Sequence, residues 1–400
     1  MKRKLLILAF FFFTMVMAGQ NPVDYLMKGK ALVEQGKPDD AVIILTKALE
    51  SFRESQIYLG RAEAFIEKGD YSRAINDFNS ANDVAPSSGE YGLARIYGLK
   101  GDAATSVYHL ESCLRSSYRK SEKDILLDPA FSLIENKPEW RQFWKKEWYS
   151  TVEKGISEIE YNISTGNINE AKSILSVLSG NYPENNNNSY AGALISFAEK
   201  KYPETISALT SLLAKEPENE KALRLLAKAQ EATGNQAGAS STYTRILDLG
   251  IPDAEILMLR AECYRKTGVL NKAKEDVVKY IDLYPGNKKA LSFAGKLESA
   301  SGDNIKALTY FSENLKLHPN DAECYLDRAN AYFISKSWDW AAKDYSMSLD
   351  LQPQNSDAWL NKGISLVNSG KREDACFDFR KSFNLGNRKA TEYLSRYCIR

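Results

Sequence analysis

From residue 22 onward, apolar residues recur three and four places apart, with polar residues between them, and this rhythm predicts amphipathic helices. The rhythm itself repeats. Steps of 34 residues from Gly234-Asn235 reach Gly268-Val269, Gly302-Asp303, Lys336-Ser337 and Gly370-Lys371, and backward steps reach Lys200-Lys201 and Gly166-Asn167. Seven units of 34 residues therefore fill 152–389 without a gap. Three more lie at 22–54, 55–86 and 87–120, with turn glycines Gly36, Gly69 and Gly101. Each unit reads as two helices joined by a tight turn.

Fixed places within the unit carry fixed residue types. The eighth place is small (Gly29, Ala62, Ala94, Ala193, Ala227, Ala261, Gly295, Ala329, Gly363), with Ile159 as the exception. A small residue there lets two helix backbones approach. Seven residues later comes the turn, where glycine takes a positive φ without a Cβ clash. Five places beyond the turn stands an alanine in eight of the ten units, and four further a large apolar residue on the same helix face, such as Leu175, Tyr243, Phe311 or Phe379. Prolines 183, 217, 252, 285, 319 and 353 mark the junctions between units.

The period, the small–turn–Ala–large order and the junction prolines resemble the tetratricopeptide repeat, and the likeness extends over all ten units. The family's aromatic at place four is matched by Tyr25, Tyr58, Tyr325 and Trp359, but not by Gly155 or Ser189. The resemblance implies an all-α fold, an α-solenoid of stacked helix-turn-helix repeats in a right-handed superhelix. A terminal unit leaves apolar surface bare. Residues 390–400, with Tyr393, Leu394 and Tyr397 on one face, are expected to form a capping helix.

Two stretches fall outside the period. At the start, Lys2, Arg3 and Lys4 precede an uncharged run with four consecutive phenylalanines, then Ala18 and Gly19. That order is the order of a secretory signal peptide, residues 1–19, and the run is too short to cross a bilayer as a helix. No other stretch is long and apolar enough for a membrane span. The organisation expected is leader 1–19, a three-repeat block 20–120, a Trp-rich joint 121–151, a seven-repeat block 152–389 and the cap 390–400. Within the joint, Trp140, Trp144 and Trp148 stand four residues apart, so a helix would stack them on one face. They serve either as an aromatic anchor for a protein or a glycan, or as packing between the blocks; packing is the favoured reading.

Composition adds mainly exclusions. Lys plus Arg number 53 and Asp plus Glu 52, which gives no general pull on nucleic acid. The two histidines, His109 and His318, lie in different units, and no phosphate loop, HExxH or CxxC motif occurs. No catalytic, cofactor or metal site is expected, and no small-molecule substrate. The five cysteines fall at different places in their units; Cys376 and Cys398 could approach one another, but buried free thiols are the expected state.

In the family that the chain resembles, partner segments lie along the first helices, at places 2, 5, 9 and 12. Carried over, these places give Lys221, Arg224 and Lys228, then Arg265, Lys289 and Lys296, broken by Glu231, Glu255 and Glu262, and farther on Leu326, Asn330, Phe333, Leu360, Ile364 and Val367. Such a face would suit a protein segment that is acidic and then apolar, against the alternative of an ordinary solvated surface. The family's lysine-and-asparagine clamp for a terminal carboxylate has only Asn330 here. The expected function is an exported, non-catalytic protein-binding scaffold of the periplasm or envelope. A co-chaperone of the secretory lumen, or a glycan-handling protein that uses the tryptophans, are the alternatives.

Overall fold

The computed structural model describes residues 21–398, so the expected leader lies outside the described residues. Among the described residues there are twenty-three α-helices, one 3-10 turn and no strand. The chain divides into two compact units, one ending at Trp148 and the other beginning at Tyr149.

The first unit holds three helix pairs: α1 (Pro22–Glu34) with α2 (Pro38–Ser51), α3 (Ser55–Glu67) with α4 (Tyr71–Val84), and α5 (Glu90–Leu99) with α6 (Ala103–Leu114). Three short elements follow, α7 (Glu122–Leu126), the 3-10 turn Pro129–Phe131 and α8 (Pro138–Phe143). The second unit holds seven pairs. These are α9 (Thr151–Ser164) with α10 (Ile168–Asn181), α11 (Asn186–Ala198) with α12 (Tyr202–Lys215), α13 (Glu220–Ala232) with α14 (Gln236–Asp248), and α15 (Glu255–Lys266) with α16 (Leu270–Leu283). Then come α17 (Lys288–Ala300) with α18 (Asn304–Leu317), α19 (Ala322–Ile334) with α20 (Trp338–Leu351), and α21 (Ser356–Asn368) with α22 (Arg372–Asn384), before a single terminal helix, α23 (Ala390–Tyr397).

Local chemistry sets the helix ends. Asn219, Asn287 and Asn355 each accept a backbone N–H three residues on, at 3.0 Å, which satisfies one of the free donors of a first turn. The turn between paired helices is left-handed throughout. Where glycine is missing, Lys200 and Lys336 are forced to φ 62° and 58°. An L residue there crowds its Cβ against the following carbonyl.

Packing within a pair follows from the small eighth place. A Cβ on Gly295 would lie 2.4 Å from the Phe311 ring, and one on Gly363 2.5 Å from the Phe379 ring. The large residue of the second helix thus fills the space that the small residue leaves. The exception, Ile159, is fully buried because its neighbour one turn back is Gly155, where a Cβ would meet Leu178 at 2.7 Å. Small and large have exchanged places in that repeat.

A buried ion pair fastens several pairs, and its period is visible only with hindsight. Arg61 holds Asp77 through two bonds of 2.8 and 2.7 Å, Arg260 holds Asp276 with the same two distances, and Arg328 holds Asp344 at 2.6 and 3.0 Å. Lys362 occupies the same place in the last repeat and makes one contact with Asp378, at 3.1 Å. Arg61 and Arg260 also donate to Thr46 and Thr244 of the preceding second helix, both at 3.0 Å. These arginines therefore pin a repeat to its predecessor as well as to itself.

The structure corrects two expectations. The three tryptophans do not line one helix. Helix α8 stops at Phe143, and Trp144 is its C-cap. The chain then folds back so that the Trp148 indole N–H donates to the Phe143 carbonyl at 2.8 Å, satisfying an acceptor that the short helix leaves open. Cys376 and Cys398 are joined as a disulfide, with Cα atoms 5.6 Å apart, while Cys113, Cys263 and Cys324 are free and buried. The continued period packs α23 on α22 so that its end meets the start of α22, which brings the two sulfurs together.

Candidate partner-binding face

Successive first helices are neighbours within each unit: α1 with α3, α3 with α5, α9 with α11, α11 with α13, α17 with α19, and α19 with α21. Side chains at places 5 and 9 reach across these neighbours. Ser292 donates to Asp327 of the next repeat at 2.5 Å, and Lys296 stands 3.1 Å from the same carboxylate. Burial raises the Asp327 carboxyl above its ordinary pKa, opposed by those two contacts.

Most of the cations on this face already have partners. Arg224 lies 2.7 Å from Glu220 and 2.8 Å from Asp253. Arg265 is held by both oxygens of Glu262 at 2.7 and 2.6 Å, and Lys221 stands 3.5 Å from Glu160. Lys228 and Lys289 are exposed and have no ion pair among the described residues. Asn330 accepts from the Tyr345 hydroxyl at 2.6 Å, which leaves its amide N–H groups for another partner. Phe333 is half-buried and edge-on to Trp338 at 5.3 Å.

The apolar part of the face is more extensive than the candidates chosen from sequence. Ile156, Ile163, Tyr190, Leu194 and Phe197 occupy the same inner places in the first two repeats of the second unit and are half-buried. Ile364 and Val367, which the sequence already placed there, do so in the last repeat. Their signal was present in the sequence: the same four places, applied to residues 152–219, would have picked them out. Apolar positions thus lie at both ends of this array, with a largely self-neutralised charged zone between.

The tryptophans are engaged with their own unit. Trp140 is buried against Phe131, 5.2 Å between centroids, and Phe143 stacks on Trp148 at 5.0 Å. Arg115 and Lys146 cover the Trp148 ring at 5.8 and 5.7 Å. Trp144 is half-buried. No group of three or more His, Cys, Asp and Glu side chains able to hold a metal, and no helix long and apolar enough to cross a membrane, occurs among the described residues.

Comparison with known proteins agrees with the repeat geometry. Family models described as tetratricopeptide repeat match residues 26–88 and 196–263. The DnaJ homolog subfamily C member 7 homolog of Schizosaccharomyces pombe is 27% identical over 143 residues, which is 32% of this chain and 30% of that protein. DnaJ homolog subfamily C member 7 of Homo sapiens is 20% identical over 370 residues, 86% of this chain and 70% of that one. The chain spans about a third of the length of the first curated relatives that it matches. A tetratricopeptide repeat protein from Parabacteroides merdae, solved by crystallography, is 20% identical, covers 62% of this chain and 98% of its own, and superposes with a TM-score of 0.45. The helix pairs within the two matched stretches are tetratricopeptide repeats, and proteins built from such repeats bind protein or peptide partners.

Proposed function

We propose that the protein is a non-catalytic scaffold that receives a segment of another protein on the first helices of its second unit, and that it does so after export to the cell envelope. One observation carries the binding reading: half-buried apolar side chains hold the inner places at both ends of the array, where solvated positions would be polar. Lys228 and Lys289 lie between them as unpaired cations. The segment that fits is apolar at both ends, with an acidic group set between. This refines the acidic-then-apolar segment expected from the sequence, because Arg224, Arg265 and Lys296 are already neutralised.

A photo-crosslinking residue at position 194, 228 or 364 should trap one and the same partner in the native host. The same residue at 305, on a second helix and 82% exposed, should not. Crosslinks confined to 305 would refute the inner-face assignment. Export rests on the basic, apolar, small-residue order of residues 1–19. N-terminal sequencing of the mature chain should begin after Ala18 or Gly19, and an intact Met1 in a cytoplasmic fraction would exclude export.

A further inference from the structure

The last helix described in the second unit, α23, has the pattern of a first helix. Steps of 34 from Trp359, Leu360 and Gly363 reach Tyr393, Leu394 and Tyr397, so α23 continues the repeat as its opening half. The large Tyr397 stands where the repeat calls for a small residue. Only Ala390 of α23 is buried, whereas α21 buries Ala358, Leu360, Gly363 and Ser365. Tyr393, Leu394 and Tyr397 rest half-buried over Leu360 and Phe379, with Tyr393 stacked on Phe379 at 5.2 Å. A helix of eight residues with one buried side chain does not persist by its own propensity. The Cys376–Cys398 bond supplies a further restraint, tying the end of α23 to α22.

We propose that Cys376–Cys398 is a thiol–disulfide exchange site that latches α23 over the apolar end of the array, and that a dithiol reductant opens it. One thiolate of the dithiol attacks Sγ of Cys398 or Cys376 and forms a mixed disulfide. The Sγ–Sγ bond breaks, and the departing cysteine leaves as a thiolate and takes up a proton. The second thiol of the reductant, losing its own proton, then displaces the remaining cysteine. The dithiol ends oxidised to a disulfide and the protein holds two thiols, two electrons having passed to it. Both sulfurs belong to half-buried residues within reach of solvent. The other three thiols do not compete. They are buried, and burial pushes Cys263 up to about 12 and Cys324 up to about 11, so they stay protonated and unreactive. Once released, α23 uncovers Leu360, Ile364 and Phe379.

The inference stands apart from the partner-binding reading, and its test needs no partner. The denatured, unreduced mature protein should show three free thiols, and five after reduction. Backbone hydrogen exchange in α23 should speed up at least tenfold on addition of dithiothreitol, while α19 and α21 keep their protection. The double variant Cys376→Ser/Cys398→Ser should exchange rapidly in α23 with or without the reductant. Five thiols in the unreduced protein, or α23 protection unchanged by reduction and by the double variant, would overturn the proposal.

Discussion

The two units close their C-terminal ends by different means. The first ends in the non-repeat residues 122–148, which bury Ile125, Phe131, Ile134, Trp140 and Phe143 against α5 and α6. Arg95 fastens this segment from beneath, lying 2.6 Å from Glu63 and 2.9 Å from Asp128, and Tyr91 donates to the same Asp128 at 2.8 Å. The last helix described in the second, α23, is held by one small buried side chain and a covalent bond. A solenoid end must hide an apolar surface. A long aromatic segment does so by burial alone, whereas a short helix buries too little and depends on a restraint placed on the unfolded chain.

The largest effect that would break this comparison lies in the first unit. Phe143 is fully buried at the centre of the aromatic cluster. Phe143→Ala should cost about 3–5 kcal/mol of that unit's stability. Urea unfolding followed by tryptophan fluorescence should show the loss equally with and without dithiothreitol. A loss that appears only under reducing conditions would mean that the first end, too, leans on a bond. The disulfide comes second. It closes a loop with a sequence separation of 22, and removing it through Cys376→Ser should cost about 3 kcal/mol, confined to α23 and its contact with α22. Equal destabilisation of α13 and α14 by hydrogen exchange would contradict a local latch.

These ends also show what the sequence could reveal. The 34-residue period exposed every helix pair because packing a pair requires the same residue types at the same places. The Trp140–Trp148 spacing suggested one helix and misled, because i, i+4, i+8 spacing says nothing of where a helix stops; the stop here lies in a carbonyl capped from five residues beyond. The disulfide was undecidable from residue types, since proximity comes from the stacking of α23 on α22. The neutralised groove was hidden for a different reason. Glu220 and Asp253 lie off the four inner places, so a list of inner residues counts Arg224 and misses its partners, whereas Glu262 stands at an inner place beside Arg265.

Charge at the two positions nearest the latched end gives a third, smaller test. Arg328 satisfies both oxygens of Asp344, but Lys362 reaches only one oxygen of Asp378, and the other is buried without a partner. Burial pushes the Asp378 carboxyl up to about 6 from an ordinary 3.8, with Lys362 opposing the shift. The folded state then holds this proton more tightly than the unfolded state does. Its contribution to stability is complete below about pH 4 and disappears as pH rises through about 6. Lys362→Arg, able to bond both oxygens, should flatten that slope in urea midpoints measured from pH 4 to 7. An unchanged slope would place the pH dependence elsewhere.

The smallest effect separates the end of the array from its interior. Lys336 and Lys200 occupy left-handed turns that glycine fills in the other repeats. Lys→Gly at either position relieves the Cβ clash but frees the unfolded chain, leaving a net gain of about 0.5–1 kcal/mol. In a linear array each repeat leans only on its neighbours, so where the gain falls matters. The Lys336 turn joins α19 to α20, next to the last full repeat, whereas the Lys200 turn joins α11 to α12 near the other end of the unit. If the disulfide-held end opens first once it is reduced, Lys336→Gly should slow exchange in α19 and α20 of the reduced protein. Lys200→Gly should leave those helices unchanged and raise only the global midpoint. The same response from both variants would mean that the seven repeats open as one block, and that the latch guards α23 alone.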